Sequence, residues 1–141
     1  MKNKFFIIIL FLLYSAELKA QDLFIEAKSI TLDKENNISR FEKDVSIKSI
    51  DKQIQSQFAE YNKDSQLVIL KNGVVASDSF NNTIKSDYAE FNNNEDTFKT
   101  IGKTFLTTSE NYTLSGKDIF FDNKKKIIKS DRSSILEDLS G

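Results

Sequence analysis

Cysteine, histidine, tryptophan and proline are absent from this 141-residue chain, methionine occurs once and glycine four times. Without His or Cys, neither a Ser–His nor a Cys–His nucleophile pair can be assembled, and the usual zinc sites lose their ligands. No disulfide can form. The missing proline suits strands that pair along their whole length. Positive charge is not in excess either: 20 basic side chains face 21 acidic ones. No basic stripe of the kind that phosphate backbones require can be drawn, which argues against nucleic acid as a partner. Carboxylates are plentiful, but Asp33, Asp64, Asp96 and Asp122 stand in polar turn segments. A carboxylate-only hydrolase needs two acids in contrasting environments, and no pair is singled out. The composition points to a protein that is not an enzyme and needs neither cofactor nor metal.

Long apolar runs are also scarce, with one exception at the start. Lys2 and Lys4 precede an unbroken apolar stretch from Phe5 to Tyr14, and Leu18-Lys19-Ala20 offers a small residue before Gln21. This is the three-part pattern of a secretory signal peptide, expected over residues 1–20 with cleavage after Ala20. As a helix the run would span about 15 Å, half of a ~30 Å hydrocarbon core, so a retained anchor is the weaker reading. Without Lys2, Lys4, Lys19 and Glu17 the remainder holds 17 basic and 20 acidic groups. Residues 21–141 suffice for one domain with a core of its own.

Those residues are dominated by a repeat. Ile25–Asp33, Ile54–Asn62, Ile84–Asn92 and Leu114–Asp122 begin 29, 30 and 30 residues apart. Each has an aliphatic residue at position 1, a small one at position 3, and Ile or Ala at position 6. Leu or an aromatic follows at position 8, and Asp or Asn at position 9. A fixed period of this length marks stacked units that cannot bury their apolar faces alone. Apolar and polar residues alternate, then slip by one place at Ala59 and Tyr61, Ala89 and Phe91, and Ile119 and Phe121. A slip recurring at equal offset is what a β-bulge produces.

After position 9 each copy has an Asn/Asp/Lys-rich turn, then a second strand: 38–48, 67–76, 97–106 and 127–136. These second strands are interrupted at Glu42-Lys-Asp44, Lys71-Asn-Gly73, Gly102-Lys103 and Asp131-Arg-Ser133. Two bent strands per repeat make about eight in all. The expected fold is all-β, a folded-over antiparallel jelly-roll in which two layers turn apolar residues inward. An exported structural β-solenoid with a dry core, an adhesin or scaffold, is the alternative. Lys124-Lys-Lys126 is the lone basic cluster and reads as a solvated turn.

The repeat grammar, with Lys71-Asn-Gly-Val74 and Ile101-Gly-Lys103 in the breaks, resembles the organic-solvent-tolerance (OstA-like) domain family of lipopolysaccharide transport. The resemblance covers residues 22–138. It implies a domain in the periplasm, associated with the outer membrane, whose hydrophobic groove shields lipid acyl chains. The implied partners are lipopolysaccharide, other jelly-roll domains joined by edge-strand pairing, and an outer-membrane protein complex. By repeat position, the groove is expected to comprise Ile25, Ala27, Ile30 and Leu32, then Ile54, Phe58, Ala59 and Tyr61. Ile84, Tyr88, Ala89 and Phe91 follow from the third copy, and Leu114, Ile119 and Phe121 from the fourth. The family offers two forms, a stand-alone bridge and the N-terminal part of an outer-membrane assembly protein. The ending at Ser140-Gly141 favours the second.

Overall fold

The computed structural model describes residues 22–139. The expected signal peptide lies outside the described residues. Eleven strands follow in order: β1 Phe24–Glu26, β2 Ser29–Asp33, β3 Ile38–Lys48, β4 Lys52–Asn62, β5 Leu67–Asp78 and β6 Thr83–Asn92. The rest are β7 Thr97–Thr107, β8 Tyr112–Lys117, β9 Ile119–Asp122, β10 Ile127–Ser130 and β11 Ile135–Asp138. All pair antiparallel in one jelly-roll-like sheet. The count exceeds eight because three ribbons break in two, separating β1 from β2, β8 from β9 and β10 from β11.

The breaks lie level with irregularities inside the unbroken strands. Lys43 and Asp44 take positive φ, as do Asn72 and Gly73, Gly102 and Asp118. The register shifts at the same level, between Glu42 and Val45, Gln55 and Phe58, Lys71 and Val74, and Ser86 and Tyr88. Left-handed backbone costs a non-glycine residue roughly 1–2 kcal/mol. Local bonds offset it here: Asp44 pairs with Lys28, and the Gly102 N–H donates to Asp118 Oδ1 at 2.7 Å. The bulges form one line across the sheet and divide it into two leaves. The first leaf holds residues 29–42, 58–71, 88–101 and 119–130. The second holds 24–26, 45–56, 74–86, 104–117 and 135–138.

Position 9 of each repeat explains itself in the first leaf. The side-chain oxygens of Asp33, Asn62, Asn92 and Asp122 accept backbone N–H groups two or three residues on. A left-handed residue closes each turn: Asn37, Gln66, Asp96 and Lys126. The turns then bond to one another, since the N–H of Lys63, Asn93 and Asn123 donates to the carbonyl of Asn37, Gln66 and Asp96. Hydrogen bonding to neighbouring groups holds the Asp33 and Asp122 carboxyls below the usual range.

The small residues at position 3 sit at the bend. Ser56 and Ser86 are buried, and their hydroxyls donate to the carbonyls of Phe58 and Tyr88 at 2.9 and 3.0 Å. A Cβ on Gly116 would meet Ser134 Oγ at 2.5 Å. The β8–β9 break is mended by Thr100, fully buried, whose Oγ1 accepts the Ile119 N–H at 3.1 Å and the Thr104 hydroxyl at 2.7 Å. Thr100→Val is nearly isosteric but leaves the Ile119 N–H without its acceptor. It is expected to cost about 1–3 kcal/mol, read as a lower urea midpoint at unchanged slope.

Candidate functional site

Cross-strand register assembles two long apolar rows. In the second leaf Ile25, Ile47, Ile54, Ala76, Ile84, Leu106, Leu114 and Leu136 face one another strand after strand. In the first leaf the row is Leu32, Ser39, Tyr61, Val68, Phe91, Phe98, Phe121 and Ile128, apolar except at Ser39. Residues opposite each other in an antiparallel pair share a face, so each row is a continuous wall. With eight ribbons about 4.8 Å apart, each wall is roughly 34 Å long. Its middle is buried, with Ile47, Ile54 and Val68 at most 1% exposed, whereas Leu32, Ile128 and Leu136 at the ends are 62, 51 and 67% exposed.

The leaves face each other across an interior that is filled at the bend and hollow toward the turns. Below the walls Phe41, Ala59, Leu70, Ala89 and Thr100 form a deeper buried row. Nearer the turns lies a cavity of about 300 Å³. Ile54, Ala76, Ile84 and Leu106 line it from the second leaf, Phe98 and Phe121 from the first. The two Phe rings meet edge to face, centroids 6.3 Å apart. The cavity's polar lining includes Lys52, Asp78, Asn82, Asp122, Asn123 and Lys126. One contact there crosses from leaf to leaf: Lys52 Nζ reaches Asp96 Oδ1 at 2.9 Å and Asp51 Oδ1 at 2.8 Å. Burial works against the charge on Lys52. Its hydrogen bonds to Asp51 and Asp96 outweigh that, and hold the ammonium above the ordinary lysine value.

The expected groove residues separate into five groups. Ile54, Ile84 and Phe121 line the cavity. Ala59, Ala89, Phe91 and Ile119 are buried in the core, and Ile25, Ala27, Tyr61 and Leu114 pack against it half-buried. Ile30 and Leu32 share the inner face through Phe41 and Ser39 but remain exposed on the edge strand β2. Phe58 and Tyr88 turn the other way. They flank the exposed Lys71 across β4, β5 and β6, with Lys71 Nζ 5.4 Å from the Phe58 ring and the Tyr88 hydroxyl donating to Glu90 at 3.1 Å. The bulge flips the strand between Ser56 and Phe58, one residue before the apolar pattern suggests. Ala76, Phe98, Leu106, Ile127 and Ile128 belong to the cavity lining and were not among the expected residues. They come from the second strands of the last three repeats; for Ala76 and Leu106 the apolar residues that resume after the break were the available signal, whereas Phe98, Ile127 and Ile128 precede it. At Phe105 that signal misleads, because Phe105 faces outward under Lys103 and Leu106 faces in.

Among the described residues no group of three or more His, Cys, Asp or Glu side chains could hold a metal ion. No helix among them is long and apolar enough to cross a membrane. No protein-family model matches the sequence, and no curated protein matches it either. Among solved structures the chain matches the crystal structure of LptH from Pseudomonas aeruginosa. That protein is described as the LptA-homologous periplasmic component of the conserved lipopolysaccharide transport device. The TM-score is 0.72 at 13% identity, covering 80% of this chain and 84% of that one. At this identity the likeness is one of fold, and it agrees with the resemblance read from the repeats: the chain has the architecture of that periplasmic component.

Proposed function

We propose that this chain is an exported lipopolysaccharide-transport domain, residues 21–141, that works in the periplasm on the way to the outer membrane. It is a folded-over β-jelly-roll, or β-taco, of four two-strand repeats, and it carries out no reaction. Acyl chains lie along the trough between the two apolar walls while the charged part of the lipid stays at the polar rim. The observation that carries this reading is the pair of facing rows, apolar except at Ser39, with a hollow between them. A cavity of about 300 Å³ is at the low end for small-molecule sites. It has room for on the order of ten water-sized groups at ~30 Å³ each. At ~0.8 kcal/mol per methylene, a tail of about ten carbons would gain roughly 8 kcal/mol.

The ends of the sheet fit a chain of such domains. The edge strands leave backbone groups unpaired, and strand addition there by another jelly-roll domain would continue both walls without a gap. The partners on this reading are lipopolysaccharide, neighbouring domains of the bridge and the outer-membrane protein complex. Both family forms, the stand-alone bridge and the N-terminal part of the assembly protein, place such a domain in that line. The filled interior at the bend is what a purely structural β-solenoid would also have, and the hollow between the walls is what it would not need.

A photo-crosslinking residue at Leu106 is expected to capture lipopolysaccharide in cells, whereas one at Lys85, on the outer face of β6, is not. Equal capture at both positions, or none at Leu106, would overturn the reading.

A further inference from the structure

We propose that the Lys52–Asp96 ion pair is a clasp across the mouth of the trough, which must part for a lipid tail to reach the cavity from the side. This rests on the carrier reading above. Lys52 begins β4 at the turn edge of the second leaf, and Asp96 closes the β6–β7 turn of the first. Their contact spans the mouth beside the cavity, whose lining includes Lys52 itself. The side chains are 13 and 19% exposed, so solvent and salt screen the pair less than an open surface contact.

Two features set this contact apart from the scaffold. Asp96 is held by bonds other than that to Lys52: it is left-handed, its carbonyl accepts the Asn123 N–H, and its Oδ1 accepts Asn123 Nδ2 at 3.1 Å. The contact also breaks the repeat. The residues that close the other three turns are Asn37, Gln66 and Lys126, none of them an acid. At 30-residue steps Lys52 is replaced by Asn82 and Tyr112. A bond needed to hold the leaves together would recur at each rung. This one occurs where the cavity is, and the described ion pairs elsewhere lie within one leaf or along the bend.

An ion pair suits a reversible closure, because its parting exposes two groups that water solvates well. Opening the apolar walls alone would give no such return. The absence of cysteine allows the closure to be made permanent at will. The test uses stopped-flow uptake of parinaric acid, an intrinsically fluorescent fatty acid, by the folded domain. Lys52→Gln and Asp96→Asn are expected to bind it about fivefold faster than the parent, the factor that ~1 kcal/mol represents. A double variant, Lys52→Cys with Asp96→Cys, is expected to be equally fast. The same protein tied by a short bis-maleimide, which adds one cysteine thiol at each end, is expected to be slower than the parent. Equal rates in all of these would overturn the clasp while leaving the carrier reading intact, the tail then arriving lengthwise from an open end. Absence of uptake by the parent itself would remove the carrier reading, and the clasp with it.

Discussion

Ala89→Arg is expected to leave no cooperatively folded domain, with the β-sheet circular dichroism lost in the absence of denaturant. Ala89 is fully buried and faces Leu70 on one side and Thr100 on the other. An arginine there must place a guanidinium where the leaves converge, with no carboxylate in its row. An unpaired buried charge costs several kcal/mol even after relaxation, and the side chain overfills the site besides. A domain of this size has only about 5–15 kcal/mol in hand. Ala59→Arg, in the same row against Phe41 and Leu70, should behave alike. A folded Ala89→Arg protein would mean that the interior at the bend is wetter and looser than its buried row indicates.

The second large effect is on binding, with stability kept. Ala76 stands between Ile54 and Ile84 in the second-leaf wall and lines the cavity. Ala76→Phe directs a ring into that hollow, where it finds apolar neighbours and does not force the leaves apart. Its folded state should be at least as stable as the parent, since apolar surface is gained and a void is lost. Affinity for a fatty acyl probe should fall on the order of a hundredfold, because displacing three or four methylenes forfeits ~0.8 kcal/mol each. Isothermal titration with dodecanoate measures this directly. Undiminished affinity in a stable Ala76→Phe protein would place the ligand elsewhere.

These variants also show what could be read from the chain before its fold was known. Most strand bounds, the turns and the bends were legible because they are local, but the splits at Ala27-Lys28 and Asp118 were not. An Asp or Asn at position 9 caps the next turn through its own side chain. Asn72-Gly73 and Gly102 announce left-handed backbone by residue type. The repeat supplied the register, and with it the inner position of Ile54, Ile84 and Phe121. Phe58 and Tyr88 were not legible: the flip at the bulge falls between two residues, and an aromatic on the outer face beside Lys71 looks like a core residue in one dimension. Nor could the cavity be located. Its walls come from strands β4 to β7 of one leaf and β7, β9 and β10 of the other, a juxtaposition across the fold that no local pattern carries. Lys52 and Asp96 lie 44 residues apart in sequence. Nothing in either neighbourhood names the other.

The turn-to-turn bonding of the first leaf makes every rung compatible with the one before it. An in-frame duplication of a single 30-residue unit, such as 54–83, would add two ribbons and lengthen the walls by about 10 Å. The span of such a conduit is thus a quantity that recombination can adjust in whole steps, without redesigning either terminus.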